Sequence, residues 1–289
     1  MLGAITGDFI GSCYEFYNTK DYDFNLFCEE SNYTDDSIMT LAVAQWLLSD
    51  PEHSYHKLED TMVLFARRSR CPMGGYGTGF YYWLFHPEGL QAFQSFDGNK
   101  GVPPYTSTTG RHPYGSFGNG SAMRVSSVGW AFDTLEETER VAAISAAITH
   151  NHPEGIKGAQ ATAAAILMAM NGKSKDEIRD YIEKKYGYDL HKTYNYWHPI
   201  YKWESSCQGT VPQALICFLD SKDYVDAIRM AVSLGGDSDT LACITGGVAE
   251  AFYGKLHPYL QDKVLPMLPP LLKDTLTSFQ KAYQKDLGY

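Results

Sequence analysis

Apolar residues recur at intervals of three and four along most of this chain, which is the spacing of amphipathic helices. Behind the acidic stretch near residue 36, for example, apolar positions fall at Ile38, Leu41, Ala42 and Trp46. No series of strands bounded by turn signals stands out, so the pattern predicts an all-α fold. The predicted helices lie at about 2–13, 37–46, 134–148, 158–170, 211–219, 223–234, 239–253 and 271–286, and a further one begins near residue 174.

Several helix starts carry capping signals. Asp36 or Ser37 is placed to cap the second predicted helix. Thr134 with Glu137, and Ser174 with Glu177, have the spacing of a capping box. These capping residues support the helix boundaries that the apolar pattern suggests.

The first predicted helix carries a stripe of small residues. Gly3, Gly7 and Gly11 are spaced four apart and therefore lie on one face. Without side chains, that face allows another helix or a ligand to approach closely. Asp8 lies on the same helix, and we expect it to accept hydrogen bonds from neighbouring backbone or arginine donors.

Two regions lack helical spacing. Residues 72–120 are rich in Gly, Tyr, Thr, Ser and Pro, and residues 186–210 are rich in aromatic residues and His. Loops of this length inside a compact domain are usually functional or disordered, and the aromatic content favours function. No linker separates two units, so we expect a single domain over residues 1–289.

Composition narrows the class of protein. The 289 residues are 44% hydrophobic and carry a formal net charge of -10, which argues against a general nucleic-acid-binding surface. No apolar run approaches the roughly 20 residues of a spanning helix, and no basic leader is visible. We expect a cytoplasmic monomer without a membrane partner. The six cysteines form no CxxC pair and no regular spacing, which predicts neither a zinc site nor a disulfide framework.

Two acidic clusters, Thr34-Asp35-Asp36-Ser37 and Asp237-Ser238-Asp239-Thr240, stand far apart in the chain. Carboxylates at this density repel one another unless a cation lies between them, and Mg²⁺ and Mn²⁺ prefer oxygen ligands. We therefore predict that the fold joins the clusters around two such ions. The alternative is that each cluster only caps a helix. The predicted ligands are Thr34, Asp35, Asp36, Asp237, Asp239 and Thr240.

A glycine-rich stretch is the second candidate for ligand binding. The run Gly115-Ser116-Phe117-Gly118-Asn119-Gly120 can point several backbone N–H groups at an anion. Ser116 and Asn119 can hydrogen-bond phosphate or ribose, and His150 can face the same ligand. Arg124, which follows the run, pairs either with a phosphate or with a carboxylate such as Asp8.

The order of these motifs resembles the ADP-ribosylglycohydrolase family. The resemblance covers residues 3 to about 254, and no single motif decides it. The matching stretches are Gly7-Asp8-x-x-Gly11 through Glu15, Thr34-Asp35-Asp36-Ser37, Gly75-Tyr76-Gly77, Gly115 to Arg124, Thr149-His150, and Gly235 to Thr240 leading into Gly246-Gly247.

The resemblance implies a compact orthogonal multi-helix fold with a binuclear Mg²⁺ or Mn²⁺ centre under an ADP-ribose cleft. The six predicted ligands match the metal ligands of such proteins. The loop Gly115 to Gly120 and His150 would contact ADP-ribose, and Glu15 would act in catalysis near the metals. From position alone, a single glutamate such as Glu15 is usually solvated. The stretches 99–114 and 186–208 do not match, which leaves the acceptor undefined.

The implied reaction is hydrolysis of the glycosidic bond between C1″ of ADP-ribose and an acceptor, either a modified protein side chain or a small molecule. Such reactions pass through an oxocarbenium-like state, and a nearby carboxylate moves the proton. Asp36 or Glu15 is the candidate. A non-catalytic ADP-ribose-binding protein and a two-metal phosphohydrolase are the alternatives. The presence of all six ligands argues against the first of these.

Overall fold

The computed structural model describes residues 1–71, 75–89, 105, 107 and 109–284. No β-strand occurs in this part of the chain, and the prediction of an all-α fold is confirmed. The helices are α1 Leu2–Gly11, α2 Asp35–Ser49, α3 Tyr55–Arg68, α4 Thr78–Phe85, α5 Gly120–Met123, α6 Ser126–Ala131, α7 Leu135–Ala147, α8 Pro153–Met170, α9 Lys175–Tyr186, α10 Tyr194–Trp197, α11 Cys207–Asp220, α12 Tyr224–Ser233, α13 Ser238–Tyr253, α14 Pro258–Val264 and α15 Pro270–Tyr283.

Helices α1 and α13 form the centre of the structure. Every residue of α1 is buried, as is α13 from Ser238 to Ala251. The glycine stripe of α1 explains how closely the two helices pack. A Cβ atom added at Gly7 would lie 2.0 Å from the backbone oxygen of Ala242, and one added at Gly3 would lie 2.4 Å from that of Gly246. The stripe is therefore a helix contact and not a ligand surface.

The capping predictions have mixed outcomes. The Ser174–Glu177 capping box at α9 is present in both directions. Thr134 caps α7 by accepting the N–H of Glu137. At α2 the prediction was wrong, because the cap is Thr34, whose hydroxyl accepts the N–H of Asp36.

Parts of the regions predicted as irregular are helical. Helix α4 falls entirely inside 72–120, and the short α10 falls inside 186–210. Helix α4 reads TGFYYWLF, so apolar residues fill all its faces and no helical period is visible in the sequence. Of the stretch 99–114, residues 99–104, 106 and 108 lie outside the described residues, as do Met73 and Gly74.

The expectation of no disulfide framework needs a correction. Cys13 and Cys28 form a disulfide across a separation of 15 residues. Cys207, Cys217 and Cys243 are buried free thiols. This pairing could not be predicted, because the bond joins the turn after α1 to a loop at a spacing that no common motif uses. No described helix has the length and apolar character needed to cross a membrane.

Candidate metal centre and substrate cleft

The two acidic clusters lie together at one end of α1. Asp8 of α1 accepts hydrogen bonds from the backbone N–H groups of Thr34 and Ser37, both at 3.0 Å, and from both of their hydroxyls. These bonds fix the start of α2 against α1. The close packing of α1 on α13 brings the start of α13 to the same place, since a Cβ atom on Gly11 would lie 2.5 Å from the Cα of Asp239.

Asp8 therefore has the structural role expected from its backbone donors. It is completely buried, and burial raises its pKa to about 6, although the hydrogen bonds from Ser37 and Thr34 oppose that rise. The expected pairing of Asp8 with Arg124 was wrong. The Arg124 guanidinium instead donates to the carbonyl of Ser145 at 2.7 Å and to the hydroxyl of Thr149 at 2.8 Å.

The clusters form the floor of a cleft of about 300 Å³. Five of the six predicted metal ligands line this cleft, and Thr34 does not. Thr34 is fully buried, and its hydroxyl already donates to Asp8 and accepts from the backbone of Asp36. Helix capping therefore explains the presence of Thr34 in the first acidic cluster. The ligands that line the cleft are Asp35, Asp36, Asp237, Asp239 and Thr240.

Glu15 joins this acidic floor and is not solvated. Carboxylate oxygens of Glu15, Asp237 and Asp239 all lie within 4.8 Å of one another. The two clusters are also linked directly, because the Thr240 hydroxyl donates to Asp36 at 3.4 Å. Three elements of the chain therefore converge on one small volume: the exit of α1, the start of α2 and the start of α13.

The acidic floor concentrates carboxylates that no positively charged side chain in the described part of the chain neutralises. Burial, followed by the charges of Asp237 and Asp35, raises the pKa of Glu15 to about 8. Burial and the charge of Asp8 raise the pKa of Asp35 to about 7, and they hold the pKa of Asp36 well above its usual range. The pKa of Asp239 is likewise raised by burial and by Asp237. No Lys or Arg side chain lines the cleft among the described residues.

Two oxygens in the floor lack any partner within the described structure. Oδ1 of Asp36 and Oε2 of Glu15 are buried and accept no hydrogen bond. A buried carboxylate oxygen without a donor is costly, and native proteins rarely retain one unless something else satisfies it. Carboxylate and hydroxyl oxygens at this density are a fitting donor set for hard divalent cations.

The glycine-rich loop forms the wall beside this floor. Its backbone is held by the segment that precedes α11: Asn119 N–H donates to the carbonyl of Ser205 at 2.8 Å, and Cys207 N–H donates to that of Phe117, also at 2.8 Å. Ser116, Gly118, Asn119 and Gly120 line the cleft, whereas Gly115 and Phe117 do not.

The Asn119 side chain has a different role from the predicted one. Its amide donates to Asp237 at 2.7 Å and to the Thr210 hydroxyl at 3.1 Å. It therefore orients a carboxylate of the floor, while its backbone N–H is occupied by the carbonyl of Ser205.

His150 lies in the cleft as a neutral ring. Burial, followed by the charge of Arg124, lowers its pKa well below the usual range. The Thr149 hydroxyl accepts from Arg124 and lies 2.7 Å from Nδ1 of His150, so it fixes the orientation of the ring. The other ring nitrogen, Nε2, lies beside the loop, 3.2 Å from where a Cβ of Gly120 would stand, and so can hydrogen-bond a ligand held there.

Sequence reasoning missed Trp203 and Ser205, which line the cleft. Tyr114 and the start of α4 from Thr78 to Phe80 also line it, where the aromatic and glycine-rich stretch 74–82 was expected to form a wall. The aromatic content of 186–210 was the available signal for Trp203, but it could not place this residue beside the acidic floor.

Comparison with known proteins identifies the family of this chain. The profile of the family described as ADP-ribosylglycohydrolase matches residues 1–257. This chain belongs to the ADP-ribosylglycohydrolase family. It is accordingly a glycohydrolase that acts on ADP-ribosyl groups.

Individual relatives of this glycohydrolase are distant but cover most of it. The chain is 26% identical to the human ADP-ribosylhydrolase ARH3, over 88% of this chain and 84% of that protein. It is 24% identical to the ADP-ribosylarginine hydrolase Tri1 of Pseudomonas putida, over 88% of this chain and 69% of that protein. A solved structure described as an ADP-ribosylglycohydrolase-related protein complex superposes with a TM-score of 0.68, at 22% identity over 98% of this chain and 95% of that one. At that identity the solved structure establishes the fold alone.

Proposed function

We propose that this glycohydrolase uses two Mg²⁺ or Mn²⁺ ions to hydrolyse the bond between C1″ of ADP-ribose and an acceptor, most favourably a modified protein side chain. The observation that carries the proposal is the convergence of the two acidic clusters with Glu15. Together they place buried, unpartnered carboxylate oxygens on the floor of an open cleft.

The residues assigned to the ions are those that line the floor. Asp35 and Asp36 come from the start of α2, whereas Asp237, Asp239 and Thr240 come from the start of α13. Thr34 acts with them by capping α2 and so fixing Asp35 and Asp36. When bound, such ions supply fixed positive charge that orients the sugar and lowers the pKa of a coordinated water.

The remaining residues of the cleft bind substrate and move a proton. Within the loop, the N–H groups of Gly118 and Asn119 already donate to Ser116 and Ser205, so the N–H of Gly120, with Nε2 of His150, is assigned to the diphosphate. Glu15 is the better candidate for proton transfer than Asp36, because its carboxylate lies beside Asp237 and Asp239 and its Oε2 has no hydrogen-bond partner in the described structure. Asp36 already accepts a hydrogen bond from Thr240 and suits the role of a ligand.

Product analysis with a panel of substrates tests this function. The protein is incubated with Mg²⁺ and with arginine-, serine- and nucleic-acid-linked ADP-ribose, and the products are separated by chromatography. Free ADP-ribose is the expected product for at least one linkage. Release of AMP or phosphate would instead indicate a phosphohydrolase, and tight binding without turnover would indicate a binding protein.

Asn119→Ala is expected to weaken Mg²⁺ binding by about 10- to 100-fold, because Asp237 loses the amide that orients it. Calorimetric titration with Mg²⁺, together with the Mg²⁺ dependence of turnover, measures the effect. Asn195→Ala, at an exposed position of α10, is the matched control and should bind Mg²⁺ like the wild type. Unchanged Mg²⁺ affinity in Asn119→Ala would contradict the role of Asn119 in orienting Asp237.

A further inference from the structure

An exposed aromatic pair stands at the rim of the cleft beside the acidic floor. The rings of Phe16 and Trp203 stack with their centroids 6.2 Å apart and their planes 19° from parallel. Despite this contact, Phe16 is 65% exposed and Trp203 is 49% exposed. Tyr17, the next residue, is 86% exposed. Large apolar side chains that cluster at the surface beside a functional cleft commonly mark a binding surface.

The pair is fixed to the floor by the backbone around it. Phe16 directly follows Glu15, whose carbonyl accepts from the Asn18 side chain at 2.8 Å. The same Asn18 amide group also donates to the carbonyl of Gly236 at 2.9 Å, immediately before the second acidic cluster. These bonds tie the segment that carries Phe16 to the start of α13, so the aromatic surface is already in place before a substrate arrives.

The position of the pair indicates which part of a substrate it would contact. In the proposed function, the diphosphate lies along the loop from Ser116 to Gly120, and the glycosidic bond lies near Glu15. The acceptor must leave the cleft past the rim next to Glu15. Phe16 and Trp203 form that rim, and Trp203 also lines the cleft itself.

We propose that Phe16 and Trp203 bind the polypeptide that flanks the modified side chain and thereby make a protein, and not a small metabolite, the preferred acceptor. The inference rests on the proposed function. Exposed aromatic rings of this kind supply contact area to a peptide at low entropic cost, and tryptophan is among the residues that contribute most to such contacts. A small acceptor would not extend far enough to use both rings.

Kinetics with two matched substrates test the proposal. The first is a short peptide that is ADP-ribosylated on the residue type which the substrate panel identifies, and the second is the same modified residue with blocked termini. We expect Phe16→Ala and Trp203→Ala to lower kcat/KM about tenfold or more for the peptide. Phe16→Ala, whose side chain does not line the cleft, should change kcat/KM by less than about twofold for the blocked residue. Trp203→Phe should recover most of the loss.

The controls separate the possible failures. Tyr196→Ala removes a ring of similar exposure, 47%, that does not line the cleft, and it should leave both substrates unaffected. The dissociation constant for free ADP-ribose should also stay unchanged in Phe16→Ala, because Phe16 does not line the cleft.

If Phe16→Ala lowers kcat/KM equally for both substrates, or weakens the binding of ADP-ribose, the pair contacts the nucleotide and the proposal is overturned. Unchanged kcat/KM for the peptide would overturn it as well. If the wild-type protein hydrolyses neither substrate, the proposed function fails, and this inference fails with it.

Discussion

Replacing Asp36 or Asp239 with asparagine is expected to abolish turnover while the protein stays folded. Both side chains lie on the cleft floor among other buried carboxylates, and both have pKa values held well above the usual range by burial. Asparagine preserves the shape but removes the charge that a cation requires. A bound cation supplies several kcal/mol of transition-state stabilisation, and each 1.36 kcal/mol is tenfold in rate, so turnover should fall at least about a hundredfold.

Folding of these variants should be preserved or improved, because removing one carboxylate relieves repulsion in the absence of a cation. The melting temperature and the circular dichroism spectrum measured in EDTA check this expectation. Asp262→Asn, at an exposed position of α14, is the matched control and should retain normal activity. Near-normal turnover in Asp36→Asn or Asp239→Asn at saturating Mg²⁺ would contradict the metal assignment.

Gly7→Ala is expected to destabilise the protein by about 3 kcal/mol, the upper part of the usual range for overpacking. The added Cβ would lie 2.0 Å from the backbone oxygen of Ala242, and a backbone atom cannot move aside as a flexible side chain can. Because α1 and α13 together carry the acidic floor, separating them should also reduce activity. The free energy of unfolding in denaturant measures the first effect.

Gly77→Ala is the matched control for stability. A Cβ atom at Gly77 would meet nothing within 4 Å, so its free energy of unfolding should stay within about 0.5 kcal/mol of the wild type. Wild-type stability in Gly7→Ala would show that the contact between α1 and α13 is looser than the structure indicates.

Most of the long amphipathic helices could be predicted from sequence, and their centres agree with the structure, although α3, Tyr55–Arg68, was not among those predicted. Helix α13 was expected at 239–253 and spans Ser238–Tyr253, because its apolar residues and its glycine-framed start both give clear signals. Helix α4 could not be found in the same way, since its aromatic residues show no polar face. The helix that packs on the glycine stripe could not be predicted either. The spacing of glycines along α1 indicates a smooth face but does not identify the element in contact with it.

The identity of the clustered residues was more predictable than their individual contacts. Dense carboxylates at two helix starts suggested a shared site, and the structure places them on one floor. The separate tasks of Thr34, Asn119 and Arg124 depend on partners distant in sequence, namely Asp8, Asp237 and Thr149. Residue type and spacing alone do not identify such partners, and the same limit applies to the Cys13–Cys28 disulfide.

Metal dependence of ADP-ribose release tests the central claim most directly. The protein is treated with EDTA, the chelator is removed, and elemental analysis establishes that no divalent metal remains. Release of ADP-ribose from the substrate identified in the panel is then followed as Mg²⁺ or Mn²⁺ is added. We expect an inactive metal-free protein whose turnover returns with either ion. Full turnover in the metal-free sample would contradict the assignment of the acidic floor as a metal centre.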